Sequence, residues 1–189
     1  MDAVEDQAGC VPAATAETAT RHWLEKIVLG LNLCPFAGPV LTANTVHFSC
    51  CDSVEMEAVA EAILHELDRL QSCDESDIAT TLLIFSTALS DFTEFWDAAG
   101  MAGDLLEQAG LEGVIQIATF HPDYCFEGCD PDDVENYSNR SPFPMLHFIR
   151  EAQLARLLQE YPNAESIPDN NIERLQQLGL AGIQQLLHS

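Results

Sequence analysis

Apolar residues in this chain recur with two different periods, and the alternation between them lays out the fold. In TATRHWLEKIVLGLNLCPF, Trp23, Leu24, Ile27, Val28 and Leu31 repeat at helical spacing, and Asn32 with Pro35 ends the helix at the Cys34 loop. TVHFSC (residues 45–50) is rich in strand formers. Behind it, Asp52 and Glu55 have the spacing of a capping box ahead of a second helical stripe, Met56, Val59, Ala60, Ile63, Leu64 and Leu67. ATTLLIFST (79–87) is the continuous apolar run expected of a strand buried on both faces. Asp91 and Glu94 repeat the capping pattern before Phe95, Trp96, Ala99, Leu105 and Leu106, a helix that Gly100 and Gly103 weaken. VIQIATF (114–120) is a third strand that runs straight into His121. One more helix is expected over residues 144–160, and one or two after IPDNN (167–171).

Strand, helix, strand, helix, strand implies right-handed crossovers between parallel strands. The predicted fold is therefore α/β: a single domain with a small, mainly parallel sheet of about three strands or slightly more, covered by about five to six helices. The 189 residues, 47% of them hydrophobic, suit one core, because two halves would each be short of buried surface. Residues 1–14 are small or acidic and lack periodicity, so they are expected to form a flexible acidic tail, with the domain occupying 15–189.

Charge narrows the function. There are 31 Asp plus Glu against 7 Lys plus Arg, and the formal net charge is −24. Nucleic acid and anionic membrane surfaces, which need a basic face, are excluded as expected partners. The simplest use of so much acid is solubility. The longest apolar runs, such as LLIF (82–85), are far too short to span a bilayer, and MDAVEDQAGC lacks the basic and apolar regions of a secretory signal. A cytoplasmic location is expected, with the seven cysteines reduced rather than in a disulfide framework. The glycosylation-like patterns at Asn136 and Asn139 carry no weight in that compartment.

In parallel sheets, ligands collect beyond the carboxyl ends of the strands, where loops meet helix N-termini. That rule selects Cys50, Cys51 and Asp52, then Ser86, Thr87 and Ser90, then His121, Asp123 and Tyr124. The last group opens HPDYCFEGCD (121–130), in which His121, Cys125 and Cys129 could ligate a metal, although the stretch offers no fourth ligand. His121 and Asp123 could instead pair as base and orienter, with Pro122 fixing the turn. Further on, in NRSPFPMLHFIRE (139–151), His147, Arg150 and Glu151 would share one face of the predicted helix, and Arg140 with Arg150 could clamp a carboxylate or phosphate. Cys34 follows a helix C-terminus, whose dipole opposes a thiolate, so it reads first as a small buried hydrophobe. No glycine-rich cofactor loop and no nucleophile elbow is present, and no cofactor is specified.

Taken together, LNLCPFA, TTLL, QIATFHPDY, NRSPFPMLHFIRE and IPDNNIERL resemble a bacterial and plastid family of the domain-of-unknown-function kind, over about residues 21–179. The resemblance covers Cys34, Pro35, Phe36, His121, Pro122, Asp123, Tyr124, Asn139, Arg140, Ser141, Pro142, His147, Arg150 and Glu151. The family pattern has glutamine where Cys125 stands and no cysteine at Cys129, which weakens the metal reading. So many polar residues in loops point to a pocket rather than to packing. The expectation is a small, anionic ligand held by Arg140 and Arg150, with Tyr124, Asn139 and Cys34 beside it. His121 or His147 would handle a proton, and Asp123 would orient it, in a hydrolase or transferase. A non-catalytic interaction module and a metal protein using His121, Cys125 and Cys129 are the alternatives.

Overall fold

The computed structural model describes residues 11–187 of the chain. Its elements are α1 (Ala13–Trp23), continued by a π-helical segment (Leu24–Leu29), then α2 (Ala37–Thr42), β1 (Val46–Cys51), α3 (Met56–Ser72), β2 (Thr80–Phe85), α4 (Phe92–Gln108), β3 (Ile115–Phe120), β4 (Met145–Arg150), α5 (Glu151–Glu160) and α6 (Ile167–Leu187). Short 3-10 turns cover Val134–Ser138 and Ala164–Ser166. The first ten residues of the expected tail lie outside the described residues, and α1 already begins at Ala13.

The α/β expectation holds, but the sheet is mixed and has four strands in the order β1-β2-β4-β3. β1 and β2 are parallel, whereas β4 runs antiparallel to both β2 and β3. The three strands foreseen from the pattern thus point the same way, and a fourth is inserted against them. That fourth strand, MLHFIR, occupies the first part of the expected helix over 144–160; only Glu151–Glu160 is helical. A central strand flanked on both sides is apolar on both faces, so its run of apolar residues carries no period that distinguishes it from a helix. The shared helical face of His147, Arg150 and Glu151 therefore does not exist.

Strand alternation sends side chains to two cores. Thr81, Leu83, Phe85, Leu146 and Phe148 are buried on one side of the sheet, where the last four pack against Val59, Ile63, Leu67 of α3 and Phe95, Ala98, Ala102 of α4. Leu82, Ile84 and Met145 face the other way, against Trp23, Leu24, Ile27 and Val28 from the end of α1 and the π-helical segment, and Leu175 and Ile183 of α6. Asp91 caps α4 as expected, accepting from the backbone of Thr93 at 2.9 Å and Glu94 at 3.1 Å. The capping box expected at Asp52 does not form: Glu55 occupies the N-cap of α3 without a side-chain bond. Gly30 ends the π-helical segment where any Cβ would run into the Lys26 carbonyl, so only glycine lets the turn close.

Candidate functional site

A cavity of about 560 Å³ lies between the second face of the sheet and the helices that cover it. α1 and the π-helical segment contribute Trp23, Leu24 and Val28 to its wall, and the loop into α2 contributes Cys34, Phe36 and Ala37. Thr80, Leu82, Phe120, His147 and Ile149 come from the sheet. Gln153, Leu154 and Leu157 of α5 and Pro168, Asn171 and Ile172 of α6 close it, with Phe126, Cys129, Glu135, Ser138 and Asn139 at the β3–β4 connection. Its size falls in the range of small-molecule sites, and like them it is mostly apolar with a few polar groups.

The loop that forms one side is held in place by α6. Asn32 adopts a left-handed conformation at φ 50°, which asparagine tolerates, and turns the chain toward Cys34. The Asn171 side chain donates to the Leu33 carbonyl at 2.8 Å, and Arg174 donates to the Leu31 carbonyl. IPDNNIERL is thereby explained: its asparagine and arginine latch the LNLCPF loop from across the molecule. Phe36 meets the Tyr161 ring edge-on, 5.5 Å between centroids, linking this loop to the end of α5.

His147 is the polar centre of the wall. Its Nε2 lies 2.7 Å from the Thr80 hydroxyl, which is also 2.5 Å from the Phe148 carbonyl. Burial among apolar groups drives the His147 pKa down to about 4, so the ring is neutral at physiological pH. Cys34 shares the cavity, and burial pushes its thiol pKa up, partly offset by hydrogen bonds from the Phe36 and Ala37 backbone. Asn139 also reaches the wall, with its side-chain amide donating to the Thr119 carbonyl at 3.0 Å.

The other expected site residues are elsewhere and already engaged. His121 is fully buried against Phe92 and Phe95; its Nδ1 accepts from the Asp123 backbone at 3.0 Å and its Nε2 faces the Leu89 carbonyl at 3.0 Å. The N–H donor fixes the tautomer: Nε2 carries the proton and donates to Leu89. Burial, partly offset by the nearby backbone and Asp123, lowers its pKa. Neither nitrogen is left for a metal or a substrate proton. Cys125 donates toward the Cys129 carbonyl at 3.4 Å, and among the described residues no group of three or more His, Cys, Asp or Glu side chains could hold a metal ion. Tyr124 is 7% exposed and packs on Phe92, Trp96 and Phe126.

Neither arginine faces the cavity. Arg140 donates to the carbonyls of Tyr124 at 3.1 Å and Pro131 at 2.6 Å, and its guanidinium lies over the Tyr137 ring. Arg150 donates to the carbonyls of Leu70 at 2.5 Å, Cys73 at 2.7 Å and Ile78 at 3.0 Å, binding the end of α3 to the start of β2. The expected clamp of Arg140 and Arg150 is thus two separate backbone stitches.

Of the expected residues, the structure brings Cys34, Asn139, His147 and Cys129 to one cavity and leaves His121, Asp123, Tyr124, Arg140 and Arg150 outside its wall. The sequence pattern marks Trp23, Phe36 and Thr80 only as helix, loop and strand, and the structure adds them to the cavity wall. A signal for Thr80 existed: it and Thr81 are hydroxyls opening an otherwise apolar strand, where a buried hydroxyl needs a partner.

A mixed sheet with helices on both faces and an apolar cavity under one of them defines an α/β protein with a pocket of small-molecule size. The chain belongs to the DUF1415 family, proteins of unknown function, whose profile matches residues 15–185. No curated protein and no solved structure matches it significantly. None of the helices among the described residues is long and apolar enough to cross a membrane.

Proposed function

We propose that this protein binds a small molecule with an apolar body in the cavity beneath α1, α5 and α6, with His147 as its polar anchor. The observation that carries the reading is a cavity of about 560 Å³ walled by aromatic and aliphatic side chains around one neutral, desolvated histidine. An anionic ligand loses its support here. Both arginines meant to hold it donate to backbone carbonyls, and the cavity wall contributes Glu135 rather than a cation. The buried end of the ligand is therefore uncharged.

If the site is catalytic, His147 acts as an acceptor and weak base, because its low pKa leaves no proton to give near neutrality. Cys34 stays protonated until activated, since burial disfavours its thiolate. Titration with Nile red, a neutral apolar dye, tests the reading. Saturable binding is expected at micromolar concentration, weakened at least about tenfold in Ala37→Phe, which fills the wall, with melting temperature little changed. Binding that never saturates, or that Ala37→Phe leaves intact, would remove the proposal.

A further inference from the structure

The head group that the cavity accepts follows from the proton of Thr80. This hydroxyl has one proton, and its oxygen lies 2.5 Å from the Phe148 carbonyl and 2.7 Å from His147 Nε2. Two oxygens come that close only with a proton between them, so Thr80 donates to Phe148. The Thr80 lone pair then accepts from His147 Nε2–H. His147 Nδ1 is left with a lone pair, and no donor among the described residues bonds to it. Because His147 lines the cavity, that lone pair is an acceptor waiting for a proton from the ligand.

Trp23 on the same wall is 3% exposed, and its indole N–H, without a hydrogen-bond partner among the described residues, is buried with no surface open to the cavity, so it sets no condition on the ligand. A ligand that cannot donate to His147 Nδ1 displaces the solvent on it and leaves it unpaired at a cost in free energy, and a ligand that donates to it avoids that cost.

We infer that the buried end of the ligand is a neutral hydroxyl, an alcohol or a phenol, which donates to His147 Nδ1. This rests on the pocket reading above. A hydroxyl supplies that proton without bringing a charge. A carboxylate, an ether or a ketone has no proton to give, and would set its own lone pairs against that of Nδ1. A protonated amine would bring a charge into an apolar wall.

Calorimetric titration of the full chain with octanol, octyl methyl ether and octanoate separates these. Octanol is expected to bind tightest, with the ether and the carboxylate each at least about tenfold weaker. Heteronuclear NMR of the histidine side chains should show His147 protonated at Nε2 only, with the Nδ1 resonance moving on octanol binding and not with the ether. In His147→Phe the preference for octanol over its ether should vanish. If none of the three binds, the pocket reading itself fails. If all three bind within about threefold, or octanoate binds tightest, the pocket stands and the hydroxyl assignment is overturned.

Discussion

At the scale of single residues, two histidines of the same motif-rich region have opposite uses. His121 spends both nitrogens on backbone groups, so it works as a covalent-free staple between the β3 exit and the Leu89 turn. Replacing it by alanine opens a buried void and orphans a carbonyl and an amide. We expect a loss of about 3 kcal/mol in urea unfolding, with dye binding in the cavity unchanged once the protein is folded. His147 spends only one nitrogen, and its buried neutral state gives stability a pH dependence. Its pKa is near 6.5 when unfolded and about 4 when folded. Below the unfolded value the unfolded chain binds the extra proton, so stability falls as pH drops from about 6.5 to about 4, by up to about 3 kcal/mol. His121 acts in the same direction. Comparing urea midpoints of the wild type and His147→Gln across that window should show the wild type losing stability relative to the variant toward acid; a constant difference would mean that His147 is solvated. The motif HPDY was legible as a special place. What could not be read was the direction of the ring, because a histidine bonded to its own loop and one facing a ligand have the same sequence.

At the scale of elements, β4 marks the limit of what periodicity reveals. The other strands, β1, β2 and β3, were readable from strand-forming runs set between helical stripes. β4 was not, because PMLHFIRE satisfies helical spacing and strand alternation equally, and only its pairing with β2 and β3 decides. The misreading moved the site. A helix would have put His147 beside Arg150, whereas a strand sends them to opposite faces, His147 to the cavity and Arg150 to the end of α3. Arg150 there satisfies three carbonyls at the end of α3 and before β2, groups that helix ends leave orphaned. Arg150→Ala should cost about 2–4 kcal/mol, with Arg150→Lys recovering only part because an ammonium cannot span the same fork of acceptors. Denaturant unfolding measures both, and an unaffected midpoint would show that water substitutes for the guanidinium. α5 is the converse case. It is strongly amphipathic, yet none of its residues is buried, because Leu154 and Leu157 face the cavity instead of a packed core. Its amides are therefore expected to exchange hydrogen faster than those of α3, and to gain protection when octanol or Nile red fills the space beneath it. Exchange as slow as in α3 without ligand would mean that the cavity does not weaken the helix.

At the scale of the whole molecule, few basic residues are left to balance the acid. Of the 7 basic residues, Arg140, Arg150 and Arg174 are committed to backbone carbonyls, and the ion pairs among the described residues involve Arg21, Arg69 and Arg156. Two of those pairs, with Glu17 and Glu75, are solvent-exposed and worth little each. The remaining acids repel one another, and folding concentrates that repulsion. Salt screens repulsion and attraction alike, so its net effect takes the sign of the larger sum. With −24 formal charges and so few exposed pairs to lose, that sum is repulsive. Raising potassium chloride from about 0.01 M to about 0.3 M shortens the Debye length several-fold and should raise the melting temperature by about 4 °C, corresponding to about 1–2 kcal/mol. The shape of the curve identifies the cause. Screening saturates once the Debye length falls below the spacing of surface charges, so the gain should level off above that range, whereas a general salting effect on apolar burial would keep rising. A melting temperature that falls with salt would place the stabilising electrostatics in the few arginine pairs. Acid adds a second arm: protonating carboxylates relieves the repulsion as pH falls, while His147 loses stability over the same interval. His147→Gln keeps the gain and lacks the loss, so the wild type should lose stability relative to the variant as pH falls from about 6.5 to about 4.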